Sequence, residues 1–451
     1  MTDALAEAPD SIESETDESG AIGSSGSVFE TKPEWDNGNL PAWFTQARED
    51  AWNEFLTLPM PGRKDESWRF ANVKLHEFSS FQAFDADAVQ IEQLIEKSRG
   101  LAEASARVIF VNGRLVKIDA GGEGVVCLPF IDALAECGEV IEKHFMNRQG
   151  ELGGRKFAAL HAARTDSGVF VYVPKGIEVA HPVEVFHWVV GDNATAFPHT
   201  LVVTDQNSSV AVVEHFQSAN DDEAGFAVGA VELVANAGSR IKYVGSQRWG
   251  SKVKAVNLAL TEVERDASVT GCFIQLGSAW CRSEAVSHLN GPGANSDMIA
   301  VAIATGEQEI DQRTLQHHAQ PNTTSDLLYK NALYGQSRSI FAGLIQVDEG
   351  AHQTDAYQTC RNLLLSNEVE ANSMPGLEIN ADGVKCSHGS TSSQIDDDEI
   401  FYFVARGITP TIARKLIAIG FATEPIERLK NDAVEEMLVA QIGQRFEEVT
   451  R

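Results

Sequence analysis

A thiol and an imidazole two residues apart, Cys386 and His388 in Lys385-Cys386-Ser387-His388-Gly389, are the residues of this chain best suited to chemistry. On an extended strand, side chains at i and i+2 share a face, so a soft and a borderline ligand could converge on one metal ion or cluster edge. Two ligands do not complete a tetrahedral site, and no third stands nearby in the sequence. The opposing reading is a half-buried thiol beside a hydrogen-bonded histidine. A site shared with a second chain would remove the shortfall.

Other candidates are weaker. His317 and His318 precede a turn-rich stretch, Ala319-Gln320-Pro321-Asn322-Thr323-Thr324-Ser325. Adjacent strand residues face opposite ways, so at most one joins a given site, and loop histidines bonded to turn backbone are the expectation. His352 and Cys360 approach Cys386 only if successive segments stack. Asp396-Asp397-Asp398-Glu399 reads as a capped helix start, favoured by the helix dipole, rather than as a calcium or sugar-hydrolysing carboxylate cluster. No nucleophile elbow, P-loop, zinc-protease helix or kinase set occurs, and Gly291-Pro292-Gly293-Ala294-Asn295 lacks the Lys-Ser/Thr of a phosphate cradle. An enzyme has little to stand on.

Composition narrows the partners. The 451 residues allow two or three domains, and 43% hydrophobic content supplies a large core. A formal charge of -29 argues against nucleic acid and anionic membranes, which need clustered Lys and Arg. Eight of the acidic residues lie between Asp3 and Glu30 with no Lys or Arg, among Ser and Gly, so residues 1–35 read as a disordered acidic tail. That segment lacks the features of a signal peptide, and no run of about 18 apolar residues follows. The six cysteines, at 127, 137, 272, 281, 360 and 386, form no CxxC pair, which disfavours a zinc finger and suggests a reducing cytoplasm.

Cys386 and His388 fall in a part of the chain that reads mostly as strands. Residues 36–167 read as a helical and α/β region. Trp43, Phe44, Ala47, Ala51, Trp52 and Phe55 mark an amphipathic helix, and Val108–Arg114 a strand with a hairpin signal. Between them, Pro61–Phe70 reads as a turn followed by a polar and aromatic surface stretch, a helix-capping turn rather than a docking element. Residues 126–165 look helical. From 168 to 408 short strands alternate with polar turns. The residues that restart them, Ser209, Ser239, Ser268, Asn295, Thr324 and Ala351, are 30, 29, 27, 29 and 27 apart. That period favours stacked β-coils over a closed sandwich or barrel. Residues 409–451 return to helices, with Thr409 as N-cap, Pro410 at the first position and Gly420 as a stop. Their apolar faces either pack on the solenoid or offer a partner groove.

The motifs together resemble one family. Pro375-Gly376-Leu377-Glu378-Ile379, Ala381-Asp382-Gly383-Val384-Lys385-Cys386-Ser387-His388-Gly389-Ser390-Thr391, Phe401-Tyr402-Phe403 and Arg406-Gly407-Ile408 are similar to the SufB/SufD family of iron-sulfur cluster assembly scaffold proteins, the SufD branch in particular. Arg63–Arg69, Pro321–Ser325 and Asn362–Ser366 extend the resemblance over nearly all the chain after the tail.

The resemblance implies a mainly β protein: a right-handed parallel β-helix flanked by N-terminal and C-terminal helical segments. It implies a non-catalytic subunit pairing with a SufB-like paralogue, with an ABC-type, SufC-like ATPase bound through the C-terminal helices and supplying ATP hydrolysis. A cysteine desulfurase or sulfur carrier would act through the complex. A transient iron-sulfur cluster would form at the subunit interface, with His388 and, less directly, Cys386 as this chain's ligands. Cys-Ser-His-Gly is the SufD form, since SufB-like chains carry an acidic residue where Gly389 stands. Cys360 aligns with a functional cysteine of SufB-like chains, which leaves open a sulfur-accepting homodimer. A β-helical carbohydrate-active enzyme is the remaining alternative.

Overall fold

Seven residues with left-handed backbone set the phase of the fold: Asn207, Gly238, Asp266, Gly293, Asn322, Gln353 and Gly383, with φ between 57° and 77°. All but Gln353 are Asn, Asp or Gly, because a compact polar side chain or the lack of a Cβ tolerates this region. Each stands two positions before a strand of one sheet: Ser209–Ser218, Arg240–Arg248, Ser268–Gln275, Asn295–Ala304, Thr324–Leu333, Asp355–Leu364 and Lys385–Ser393. The intervening residue is small or β-branched, and Ser208, Ser239, Ala267, Ala294, Thr323 and Thr354 are buried where the corners stack. The corners are tight: a Cβ at Gly293 would lie 2.3 Å from Asp266 Oδ1.

These strands pair in parallel, with Arg240 beside Ser209, Ser268 beside Arg240, Asn295 beside Ser268, Thr324 beside Asn295, Asp355 beside Thr324 and Lys385 beside Asp355. Ser209, Ser268, Asn295 and Thr324 are therefore true register partners. Ser239 falls one position early and Ala351 four early, because the left-handed residue sets the phase and the small residue does not. A second sheet supplies the other half of each coil through Ala224–Ala235, Lys252–Val263, Trp280–Leu289, Glu309–His318, Arg338–Val347 and Glu370–Ile379. The result is a mainly β protein built on a β-solenoid of about eight turns with helices at both termini.

The computed structural model describes residues 26–35, 40–62, 64–71, 73, 77–122 and 124–449. Between the sheets lie Val212, Tyr243, Met298, Ala300, Leu327, Tyr329 and Cys360 from one side and Val231, Leu233, Ala259, Ala285 and Phe341 from the other. Each large aliphatic side chain buried there contributes about 1.5–3 kcal/mol, so the core runs continuously along the solenoid axis. The first rung forms before residue 168, since Ala106–Val111 pairs in parallel with Val183–Val189. The last coil ends at Ser393 and is followed by the helix Asp397–Val404.

Helices Ala42–Thr57, Phe130–His144 and Arg155–Arg164 cover the outer face of the second sheet, where Phe44, Trp52, Phe55, Phe130 and Phe157 meet Leu201, Phe226, Val228 and Trp280. The 126–165 region is not wholly helical, because Val126–Pro129 is a strand antiparallel to Val169–Val173. Of the expected tail, positions 1–25 lie outside the described residues. Residues 26–35 are not tail-like: Val28 is buried in the aromatic core and Trp35 Nε1 donates to Ala163 O. Packing of Val28, Phe29 and Trp35 outweighs the polar composition around them.

The surface reading of Pro61–Phe70, of which Arg63 lies outside the described residues, is also corrected. Trp68 is buried against Trp280 and Phe157, with the Arg282 guanidinium 3.7 Å from its ring centre. Arg282 donates to Asp311 (2.6 Å), to Glu284 (2.7 Å) and to Ser67 O, while Arg313 binds Asp311 (2.6 Å) and Arg69 O. This buried set, two cations and two anions, pins the segment to the solenoid.

At the other end, Pro410–Thr423 and Asp432–Val449 cover the outer face of the first sheet. Ala418, Ala422, Leu438, Ile442 and Phe446 meet Val244, Ile274, Ile299 and Val301 there. Thr409 caps the first of these helices as expected, but that helix passes Gly420 and ends at Thr423, because packing of Ala422 holds the last turn. Among the described residues no helix is long and apolar enough to cross a membrane.

Candidate functional site

The final coil, strands Glu370–Ile379 and Lys385–Ser393, is the candidate site because it ends both sheets. Among the described residues each of its strands pairs on one side only, with Arg338–Val347 and Asp355–Leu364 respectively. Alternation and register identify its inward row. Ala356, Gln358, Cys360 and Asn362 are buried inside the penultimate coil, and their register partners are Cys386, His388, Ser390 and Ser392. Asn362 Nδ2 donates to Ser392 Oγ at 3.1 Å, and Cys386 packs with Ile345, Val347 and Ala356. The same inward positions therefore sit under a covering coil in one rung and open in the next. Cys386 is half-buried, His388 is exposed, and Leu377 and Ile379 on the opposite strand are exposed as well.

Cys386 and His388 thus share one face, as their spacing requires. Burial, and then the Asp355 carboxylate, push the Cys386 thiol above its ordinary range, which favours the protonated form. Among the described residues no group of three or more metal-ligating side chains converges anywhere.

Cys360 does not join the pair. It is fully buried one coil inward and stands beside Ser390, four positions along the strand from Cys386, roughly 13 Å by strand rise. Burial pushes its thiol up to about 12, and its sulfur is surrounded by Asn331, Asn362 and Ser373. His352 does not join either, because its Nδ1 is held by Asp382 O at 3.0 Å in the turn before Cys386.

His317 and His318 lie on a strand rather than a loop. His317 faces outward, between His288 (2.9 Å) and Asp348 (2.9 Å), while buried His318 is bonded by Thr323 and Ser325 side chains. Asp396 caps the helix Asp397–Val404 through Asp398 N, as the acidic run predicts.

A second exposed feature adjoins the coil. Phe401 (69% exposed) and Tyr402 (55%) on Asp397–Val404, with Ile412 and Leu416 at i and i+4 on the next helix, leave an apolar surface open. The inner face of that second helix is packed through Ala413, Ala418 and Ala422.

Comparison with known proteins gives this geometry a family. The description "SUF system FeS cluster assembly, SufBD core domain" matches residues 187–421, and "SufBD protein N-terminal region" matches residues 28–185. The chain belongs to the SufBD family. Among its relatives, the iron-sulfur cluster assembly protein SufD of Escherichia coli is 30% identical, covering 87% of this chain and 91% of the relative. SufD of Bacillus subtilis is 26% identical over 90% of this chain and 94% of the relative, and SufB of the same organism 25% identical over 88% of each. At Gly389, by which the motif resembles the SufD branch of SufBD proteins, an added Cβ would meet nothing within 4 Å among the described residues.

Sequence reasoning missed Gln358. It is buried directly beside His388, and its amide oxygen has no hydrogen-bond partner among the described residues. Its identity carried no local signal, since the residue it stands beside belongs to the next coil.

Proposed function

We propose that this chain is a non-catalytic, SufD-like subunit of a scaffold on which iron-sulfur clusters are assembled, with a SufB-like paralogue and an ABC-type ATPase as partners. One observation carries the reading. The final coil leaves its inward row uncovered, and on that row stand a half-buried thiol and an exposed imidazole with no third ligand among the described residues. A partner's coil stacking on these two edge strands would extend both sheets and cover the exposed Leu377 and Ile379. It would also bring the missing ligands to His388 and Cys386. The cluster is cargo, built and passed on.

The apolar surface of Phe401, Tyr402, Ile412 and Leu416 supports the ATPase as the second partner, which supplies the energy of ATP hydrolysis. A cysteine desulfurase or sulfur carrier delivers sulfur through the complex, and the reading carries a cytoplasmic location with it, supported by six free thiols. The sulfur-accepting homodimer is disfavoured by the burial of Cys360.

Coexpression with the chain's genomic neighbours, anaerobic purification and analysis of iron and sulfide test the proposal. Copurification of the paralogue and ATPase is expected. His388→Ala is expected to lower the iron content of an intact complex, and Ile412→Asp with Leu416→Asp, which leaves the packed inner face of that helix in place, to abolish ATPase binding. A chain that copurifies with neither partner, or an iron content indifferent to His388, refutes the corresponding part.

A further inference from the structure

Gln358 occupies an unusual position in the penultimate coil. It is 1% exposed, and in the parallel pairing it stands beside His388. The amide network fixes which end of its side chain is free. Gln316 Nε2 donates to Ser325 Oγ (2.7 Å) and to Tyr357 O (3.0 Å), so its oxygen is the acceptor left for Gln358. Gln358 Nε2 donates to that oxygen at 3.4 Å, and Gln358 Oε1 is left buried without a partner among the described residues. Space for this arrangement comes from the facing sheet, where a Cβ on Gly343 would fall 2.2 Å from Gln358 Nε2. A buried amide oxygen without a donor is costly to retain, and the next coil outward presents a donor-bearing ring in register with it.

We propose that Gln358 is a positioning residue for His388: its free amide oxygen accepts the N–H of the imidazole once a partner closes the end of the solenoid. The opposite ring nitrogen, unprotonated, then faces the interface and the iron. A neutral histidine ligates through one nitrogen only, and the hydrogen bond made by the other selects the tautomer and holds the ring plane. Gln358 therefore supplies an orientation that His388 lacks while the coil is open. This inference rests on the proposed role of His388 in cluster assembly and adds the group that makes it a directed ligand.

The test uses the full-length chain in complex with its SufB-like paralogue and ATPase, labelled with 15N-histidine, with the His388 ring signals assigned by their loss in His388→Ala. The wild-type complex should show one protonated and one unprotonated ring nitrogen at His388. Gln358→Met, of equal length but without the oxygen, should give a mixture of tautomers and about a 10-fold or greater loss of iron affinity. Gln358→Asn, which withdraws the oxygen by one carbon, should do the same and serves if the Met variant does not assemble. An unchanged tautomer in these variants overturns the inference even where iron falls, because loss of packing alone leaves the ring's protonation pattern in place. Iron loss in His388→Ala with unaltered tautomers in the Gln358 variants overturns this inference alone. Iron binding indifferent to His388→Ala overturns the assembly role of His388 and this inference with it.

Discussion

Alkylation of the folded protein should separate Cys386 from Cys360 by a wide margin. Burial pushes Cys360 up to about 12 from an ordinary 9.0. At pH 8 that lowers its thiolate fraction by about 10³ relative to an ordinary thiol, since only the thiolate attacks. The more basic thiolate is a better nucleophile, with a Brønsted slope of about 0.4–0.5 that returns part of the difference. The chemical deficit is then about 30-fold or more before access is counted. Access widens it: Cys360 is fully buried under the final coil, and its labelling must wait for that coil to open. Cys386 is raised as well, but it is half-buried on the open row.

The assay is a timed iodoacetamide reaction at pH 8, quenched and mapped by peptide mass spectrometry, with a denatured sample to normalise each cysteine. Cys386 should label first. Cys127, Cys272 and Cys281, each pushed up to about 12 by burial, should lag together with Cys360. Native labelling of Cys360 as fast as Cys386 would refute the burial argument and restore the sulfur-accepting alternative.

Three further outcomes follow from the fold. Gly293→Val places a β-branched residue at φ 77° with its Cβ against Asp266, so it should destabilise the protein by about 2 kcal/mol or more in a denaturant titration, whereas Gly389→Ala should fall within error. Arg282→Met leaves Asp311 and Glu284 buried without their shared cation, and a loss of about 3–5 kcal/mol with increased solvent exposure of Trp68 fluorescence is expected. The third concerns a buried relay in which Glu232 meets His199 (3.0 Å), His199 meets His161 (3.1 Å), and His161 meets Val228 O (2.7 Å). Burial pushes Glu232 up to about 8 and both histidines down to about 3, so at neutral pH a protonated carboxyl donates to His199 and each ring donates onward. A carboxyl whose folded pKa is raised binds its proton more tightly when native, so this group's contribution falls as pH rises from about 4.5 to about 8. The two histidines, lowered from 6.5, outweigh that loss below pH 6.5, so the window that isolates Glu232 is pH 6.5 to 8: Glu232→Gln keeps the donor without titrating, wild type should lose thermal stability relative to it across that window, and a constant difference would exclude Glu232 as the source.

Much of this protein was legible in the sequence wherever the governing rule is local. Strand alternation alone places Cys386 and His388 on one face, and helix-end chemistry alone starts helices at Asp396 and Thr409. The regular recurrence of strand starts suffices to propose stacked coils. Its phase is carried by the corner residues Asn207, Gly238, Asp266 and Gly293, and the small residues Ser239 and Ala351 lie one and four positions ahead of the register.

Which groups are covered depends on how the coils and helices stack. Trp68 looks like a surface aromatic until Arg282, far along the chain in the second sheet, closes over it. Cys360 and Cys386 are both thiols on strands, but one lies beneath a further coil and the other does not. That single difference makes one inert and leaves the other beside His388 at an open end, because desolvation depends on what stacks above a residue and not on its neighbours in the chain.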